Sequence, residues 1–125
     1  MEDEALFAIA AAQEDNSLFV SPITAWEAAL AVQKPNPARR PNLRGEDPAT
    51  WFRRARRSTG ARIAPIGAKV ALEAARVPSV SGWGDPGDCY IIATARVNQL
   101  TIVTRNGPMT ALAELQPAYL SLIQC

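Results

Sequence analysis

Short apolar runs alternate with helix-forming segments along the whole 125-residue chain. The runs are LFV (18–20), ARIAPI (61–66), LTIVT (100–104) and AYLSLI (118–123). Strands covered on both faces appear in sequence as short continuous apolar runs, and helices inserted between them point to a parallel sheet. The expectation is therefore an α/β protein. A chain of this length makes one domain, which hides roughly two-thirds of its unfolded surface without needing covalent staples. A hydrophobic share of 48% against 20% charged residues fits a folded domain and excludes a disordered one.

The helices carry their own start and stop signals. SPITAWEAALAV opens with Ser21 as cap and Pro22 in the first turn, where a missing N–H is harmless. DPATWFRRARR starts at Asp47–Pro48 and ends at Gly60, while QKPNPARRPNLRGED before it is too broken by proline to be regular. Further helices are expected over Glu2–Glu14, in GAKVALEAARV, after GDPGD and from Met109 to Leu115, with PSVSGWGDPG as a loop.

The chain has no histidine, which excludes a Ser–His–Asp triad, His-based general acid–base chemistry and His-ligated zinc. Catalysis is left to carboxylates, hydroxyls, lysine or a hard metal ion. Cys89 and Cys125 have no framework or metal-site spacing, and MEDEALFAIA is acidic where a secretory signal would be basic. With no apolar run near the roughly 20 residues of a membrane helix, the expectation is a cytoplasmic protein with reduced thiols and no membrane partner.

Charge is unevenly placed. Residues 1–33 hold six acids and no base, whereas Lys34 to Arg62 holds nine bases against Glu46 and Asp47. Such a basic middle segment suits a phosphate backbone; a solvated helix face and loop would look the same.

Two acids sit at apolar spacings. Glu27 shares a helical face with Ile23, Trp26 and Leu30, and Asp88 shares one with Ile91, Ile92 and Ala95. Both lie early in their helices, towards the carboxyl edge of a parallel sheet, where ligands bind in open α/β folds. Two carboxylates converging there repel unless a cation lies between them, and Mg2+ or Mn2+ suits oxygen ligands. The alternative makes Asp88 an ordinary first-turn acid and Glu27 a solvent-facing residue.

LFVSPITAWEAAL and GDPGDCYIIATARVNQLTIVTRN resemble the corresponding blocks of PIN-domain proteins. DPATWFRRA and IAPIGAKVALEAARVP match the spacing of their VapC-type toxin ribonucleases, and the resemblance runs from about Glu4 to Cys125. It implies a three-layer α/β/α domain with a central parallel sheet, and a Mg2+- or Mn2+-dependent endoribonuclease acting as the toxin of a bacterial type II toxin–antitoxin pair. Carried over, the metal acids are Glu27 and Asp88, with Asp85 at the rim and Asn106 at the fourth acidic position. Ser21 and Thr104 are supports, and Arg39, Arg40, Arg44, Arg53, Arg54 and Arg57 are candidates for RNA contact, with Trp83 as a candidate stacking platform. A small antitoxin and a homodimer are the implied protein partners. The family's first strand and the acid that closes it have no counterpart here, so residues 1–125 are expected to be a single PIN-like domain that is N-terminally incomplete. An upstream in-frame run such as LLLDT would complete it; without one, the expectation is an inactive fold that binds an antitoxin or itself.

Overall fold

The computed structural model describes residues 2–82 and 84–125, and of Glu2 the backbone alone. Helix α1 (Glu2–Glu14) leads to strand β1 (Phe19–Val20), helix α2 (Pro22–Ala31) and, after a 3-10 turn at Pro37–Arg39, helix α3 (Pro48–Thr59). Strand β2 (Arg62–Ile63), the helices α4 (Ala68–Ser81) and α5 (Pro86–Asn98), strand β3 (Ile102–Thr104), helix α6 (Gly107–Leu115) and strand β4 (Leu122–Gln124) follow. This is the α/β/α architecture expected, with all four described strands in parallel pairs.

The strands do not form one sheet. β1 pairs with β2 in register Phe19 with Arg62, and β3 pairs with β4 in register Ile102 with Leu122. Among the described residues the two pairs share no ladder. The expected central sheet is thus divided by a seam between β1 and β3. Cavities border the seam on α5's side and on α1's side.

Local chemistry sets the element ends. Ser21 Oγ accepts from the Ile23 amide at 3.1 Å, and Asp47 Oδ1 accepts from Thr50 at 2.8 Å, each ahead of a proline in the first turn. Gly60 and Gly82 end their helices at φ 74° and 80°, a left-handed backbone that glycine adopts without a Cβ clash. Helix α4 runs past Pro78, where the sequence suggested a loop. Ser79 and Ser81 hydroxyls bond back to the Arg76 and Val77 carbonyls at 2.7 and 3.0 Å, satisfying backbone acceptors in that last stretch.

The core lies between α4 and α5, where Val77 and Ile92 are fully buried with Val70, Ala74 and Ala93 around them, and Met109, Leu112 and Leu120 close it from α6 and the turn beyond. Arg96, in the last turn of α5, reaches Glu73 of α4 at 3.0 Å and stacks over the Tyr119 ring at 3.8 Å, fastening α4, α5 and the 117–121 turn together. The other side is thinner. Neither α2 nor α3 contains a fully buried residue, and Trp26 and Leu30 are 46% and 47% exposed. The apolar stripe expected around Glu27 is therefore not a core face: α2 lies over the strand ends with α3 and α5 as its neighbours. No described helix is long and apolar enough to cross a membrane.

Candidate active site

The ends of β1 and β3 open into a cavity of about 360 Å3. Ser21, Thr24 and Glu27 form one wall, Asp88 and Ile91 another, and Thr104 and Asn106 a third. Glu27 comes from α2, which starts directly after β1, and Asp88 from the first turn of α5. Two elements far apart in sequence thus deliver a carboxylate each to the carboxyl edge of the strands.

Helix α5 starts on Asp85, whose Oδ1 accepts from the Asp88 amide at 3.1 Å. Asp88 is therefore a first-turn acid, in the field of amide groups that favours negative charge. Its Oδ2 accepts from Asn106 Nδ2 at 3.3 Å. Asn106 is itself the cap of α6: Oδ1 accepts from Met109 at 2.9 Å, so its amide oxygen faces the helix and its NH2 faces Asp88. Thr104 Oγ1 accepts from the Asn106 amide at 3.1 Å and steadies that turn. Ser21 Oγ is engaged in capping α2.

Glu27 is exposed as a residue, yet its carboxyl packs against the first turn of α5. A methyl group on Gly87 would stand 3.3 Å from Glu27 Oε2 and 3.4 Å from Asp85 Oδ1, so the lack of a side chain at Gly87 lets the three carboxylates gather. Partial burial of this carboxyl, then the charges of Asp88 and Asp85, push the Glu27 pKa above the usual glutamate value. Burial first, then the same two aspartates, also raise the Cys89 thiol, which is buried and unsuited to be a nucleophile.

Glu27, Asp88, Asn106, Ser21 and Thr104 all line the one cavity, whereas Asp85 stands outside its wall as the cap of α5. None of Arg39, Arg40, Arg44, Arg53, Arg54 or Arg57 lines it. Arg54 is paired with Glu46, and Arg40 Nε bonds the Lys34 carbonyl at 2.8 Å. Arg53 and Arg57, with Arg56 and Arg62, border a separate depression of about 390 Å3 at the end of α3. Trp83 lies outside the described residues. Gly87 and Thr24 were not singled out from the sequence; the signal for Gly87 was its place between two acids in DPGD.

The donor set is made of hard oxygen ligands, and every cause acting on Glu27 raises its pKa, as expected of a site poised for a cation. In chemistry the residues fit a divalent ion; in number they fall short. Among the described residues no group of three or more His, Cys, Asp or Glu side chains is arranged to hold one.

A family model described as PIN domain matches residues 1–115. No curated protein and no solved structure matches the chain significantly.

Proposed function

The chain belongs to the PIN-domain family, a family of nuclease-type function, and on that premise we propose that it is a divalent-metal-dependent endoribonuclease, the toxin of a bacterial type II toxin–antitoxin pair. The observation that carries this reading is the raised pKa of Glu27, caused in part by Asp88 and Asp85 across the cavity. Like charges gathered at the carboxyl edge of parallel strands are a standing cost that a divalent cation removes. Mg2+ or Mn2+, when bound, polarises a scissile phosphate and lowers the pKa of a coordinated water.

The chain's own residues then have distinct tasks. Glu27 and Asp88 hold the ion. Asn106 donates to Asp88 and fixes its rotamer, and Thr104 fixes Asn106 in turn. Gly87 leaves room for the Glu27 carboxyl. Asp85 adds negative charge while keeping α5 capped. The arginines of α3, next to the helix that carries Glu27, attract the RNA backbone over a distance set by ionic strength. The likeness of sequence to VapC-type proteins supports the toxin role, a small antitoxin as partner, a homodimer and a cytoplasmic setting. Leu6 and Phe7, 65% and 75% exposed on α1, provide apolar surface for such contacts.

Asp88→Asn is expected to abolish Mg2+-dependent RNA cleavage by a complete protein while circular dichroism stays unchanged. Unaltered cleavage would remove Asp88 from the site. A second reading, a PIN fold that binds and does not cut, is favoured by the two-carboxylate wall of the cavity and the shortage of acidic ligands. Under either reading, very weak or no turnover is expected from residues 1–125 alone, and robust turnover would show that two cavity carboxylates suffice.

A further inference from the structure

The seam between the two strand pairs has the directionality and lining of a strand's place. The Leu18 and Val20 carbonyls accept from Arg62 and Ala64 at 2.8 and 3.0 Å, so these peptide groups face β2. Successive residues of a strand point their backbone groups to opposite sides, which turns the N–H and C=O of Phe19 away from β2 and into the seam. On the far side the Ile102 amide donates to Ser121 at 2.9 Å and the Thr104 carbonyl accepts from Cys125 at 3.0 Å. The same alternation turns Thr101 and Val103 into the seam. Phe19, Thr101 and Val103 are also the residues that border both the cavity of about 360 Å3 on the α5 side and one of about 490 Å3 on the α1 side. Two cavities, one above and one below a line of outward-turned backbone groups, are what a strand with side chains alternating between two faces requires. Ile91 and Ala95 line the upper one, and Ala8 and Ile9 the lower.

We infer that this seam is a seat for an extended, predominantly apolar segment of a partner polypeptide, which inserts parallel to β1 and β3 and bonds Phe19 on one side and Thr101 and Val103 on the other. This is strand addition into a sheet, made at two edges at once rather than one. Parallel order follows from the chain: both bordering strands run the same way relative to the site, ending at Ser21 and at Asn106, which line the same cavity. A second copy of this chain is a poor donor. Its four described strands are already paired, and its longest described stretch without α-helix or strand, residues 32–47, is rich in proline and charge. The guest's carboxyl end emerges beside Glu27, Asp88 and Asp85, so charge complementarity favours a basic residue there. The inference does not depend on nuclease activity and is read out without it.

The probe is a synthetic peptide of five alternating valines and leucines between Gly-Ser flanks, ending in lysine, titrated in a metal-free buffer and followed by amide hydrogen exchange. Saturable binding with new protection of the Phe19 and Val103 amides is expected, with Val20 and Ile102, already facing their partner strands, little changed. A peptide of the same sequence with N-methylated backbone is expected to bind roughly tenfold more weakly or worse, because blocked bonds leave strand-edge groups unsatisfied. An aspartate-ended peptide is expected to bind roughly threefold more weakly than the lysine-ended one at low salt. Equal binding of the N-methylated peptide, binding without protection at Phe19 and Val103, or no binding at all would each overturn the inference. So would a dimer in which a second copy already protects those amides.

Discussion

The α4–α5–α6 side of the molecule hides Val77 and Ile92 completely, while α2 and α3 across the seam bury no residue fully and leave Trp26 and Leu30 nearly half exposed. The first side has a core of its own. The second is held by helix caps, small buried residues such as Ala61 and Ala64, and the short β1–β2 pair. Yet the candidate site takes one acid from each: Asp88 from the packed side and Glu27 from the thin one. The position of Glu27 relative to Asp88 is therefore set by the less stable part of the fold, and anything that joins the two strand pairs also fixes the site.

The largest expected effect tests that contrast directly. Ile92→Ala should cost about 2–5 kcal/mol in chemical denaturation, the range for emptying a buried aliphatic site, whereas Phe7→Ala should stay within about 0.5 kcal/mol because Phe7 is 75% exposed. Comparable losses at the two positions would remove the distinction between the sides. Arg96→Ala should cost about 2 kcal/mol, since it breaks a charged bond to Glu73 and the stack on Tyr119. A loss that spread to hydrogen exchange of α2 as strongly as of α4 would mean that the seam does not separate two units of different stability.

A smaller effect sharpens the comparison at the site itself. Gly87→Ala should leave stability unchanged or raise it by up to about 1 kcal/mol, because alanine is the better helix former, while displacing the flexible Glu27 carboxyl that a new Cβ would approach to 3.3 Å. Weaker Mg2+ binding without loss of stability is the expected pair of observations. The smallest effect is on pH dependence. The folded-state pKa of Glu27 lies above its ordinary 4.5, so the native state holds this proton more tightly than the unfolded chain. Metal-free stability from this group is then fully present at low pH and lost as pH rises through the raised value. Glu27→Gln should flatten that part of the profile, and an unchanged slope would show that Glu27 is not strained by its neighbours.

Much of this was legible in the residues. Ser-Pro, Asp-Pro and Gly punctuation placed the starts of α2 and α3 and the end of α3, and the apolar runs placed all four strands, though only two or three residues of each pair. The convergence of Glu27 and Asp88 followed from spacing and from the resemblance of GDPGDCYIIATARVNQLTIVTRN to PIN-domain sequences. The seam was less visible, because sequence patterns mark which segments are strands and not which edges stay unpaired. The exposure of α2 was hidden for a related reason: Ile23, Trp26 and Leu30 form an apolar stripe whether or not a neighbour covers it. Asn106 shows a further limit. Its place in the TRN triplet suggested a ligand position, but which amide atom faces the site is decided by the cap it makes for α6.

The central claim is that acids from the two sides of the seam share one divalent ion, and paramagnetic Mn2+ tests it most directly. Titrated into isotope-labelled protein, Mn2+ is predicted to broaden the amide signals around Glu27 and around Asp88 together, at one common concentration, and to broaden neither in Glu27→Gln or Asp88→Asn. Broadening confined to one of the two segments, or the same in both variants as in the parent chain, would contradict it.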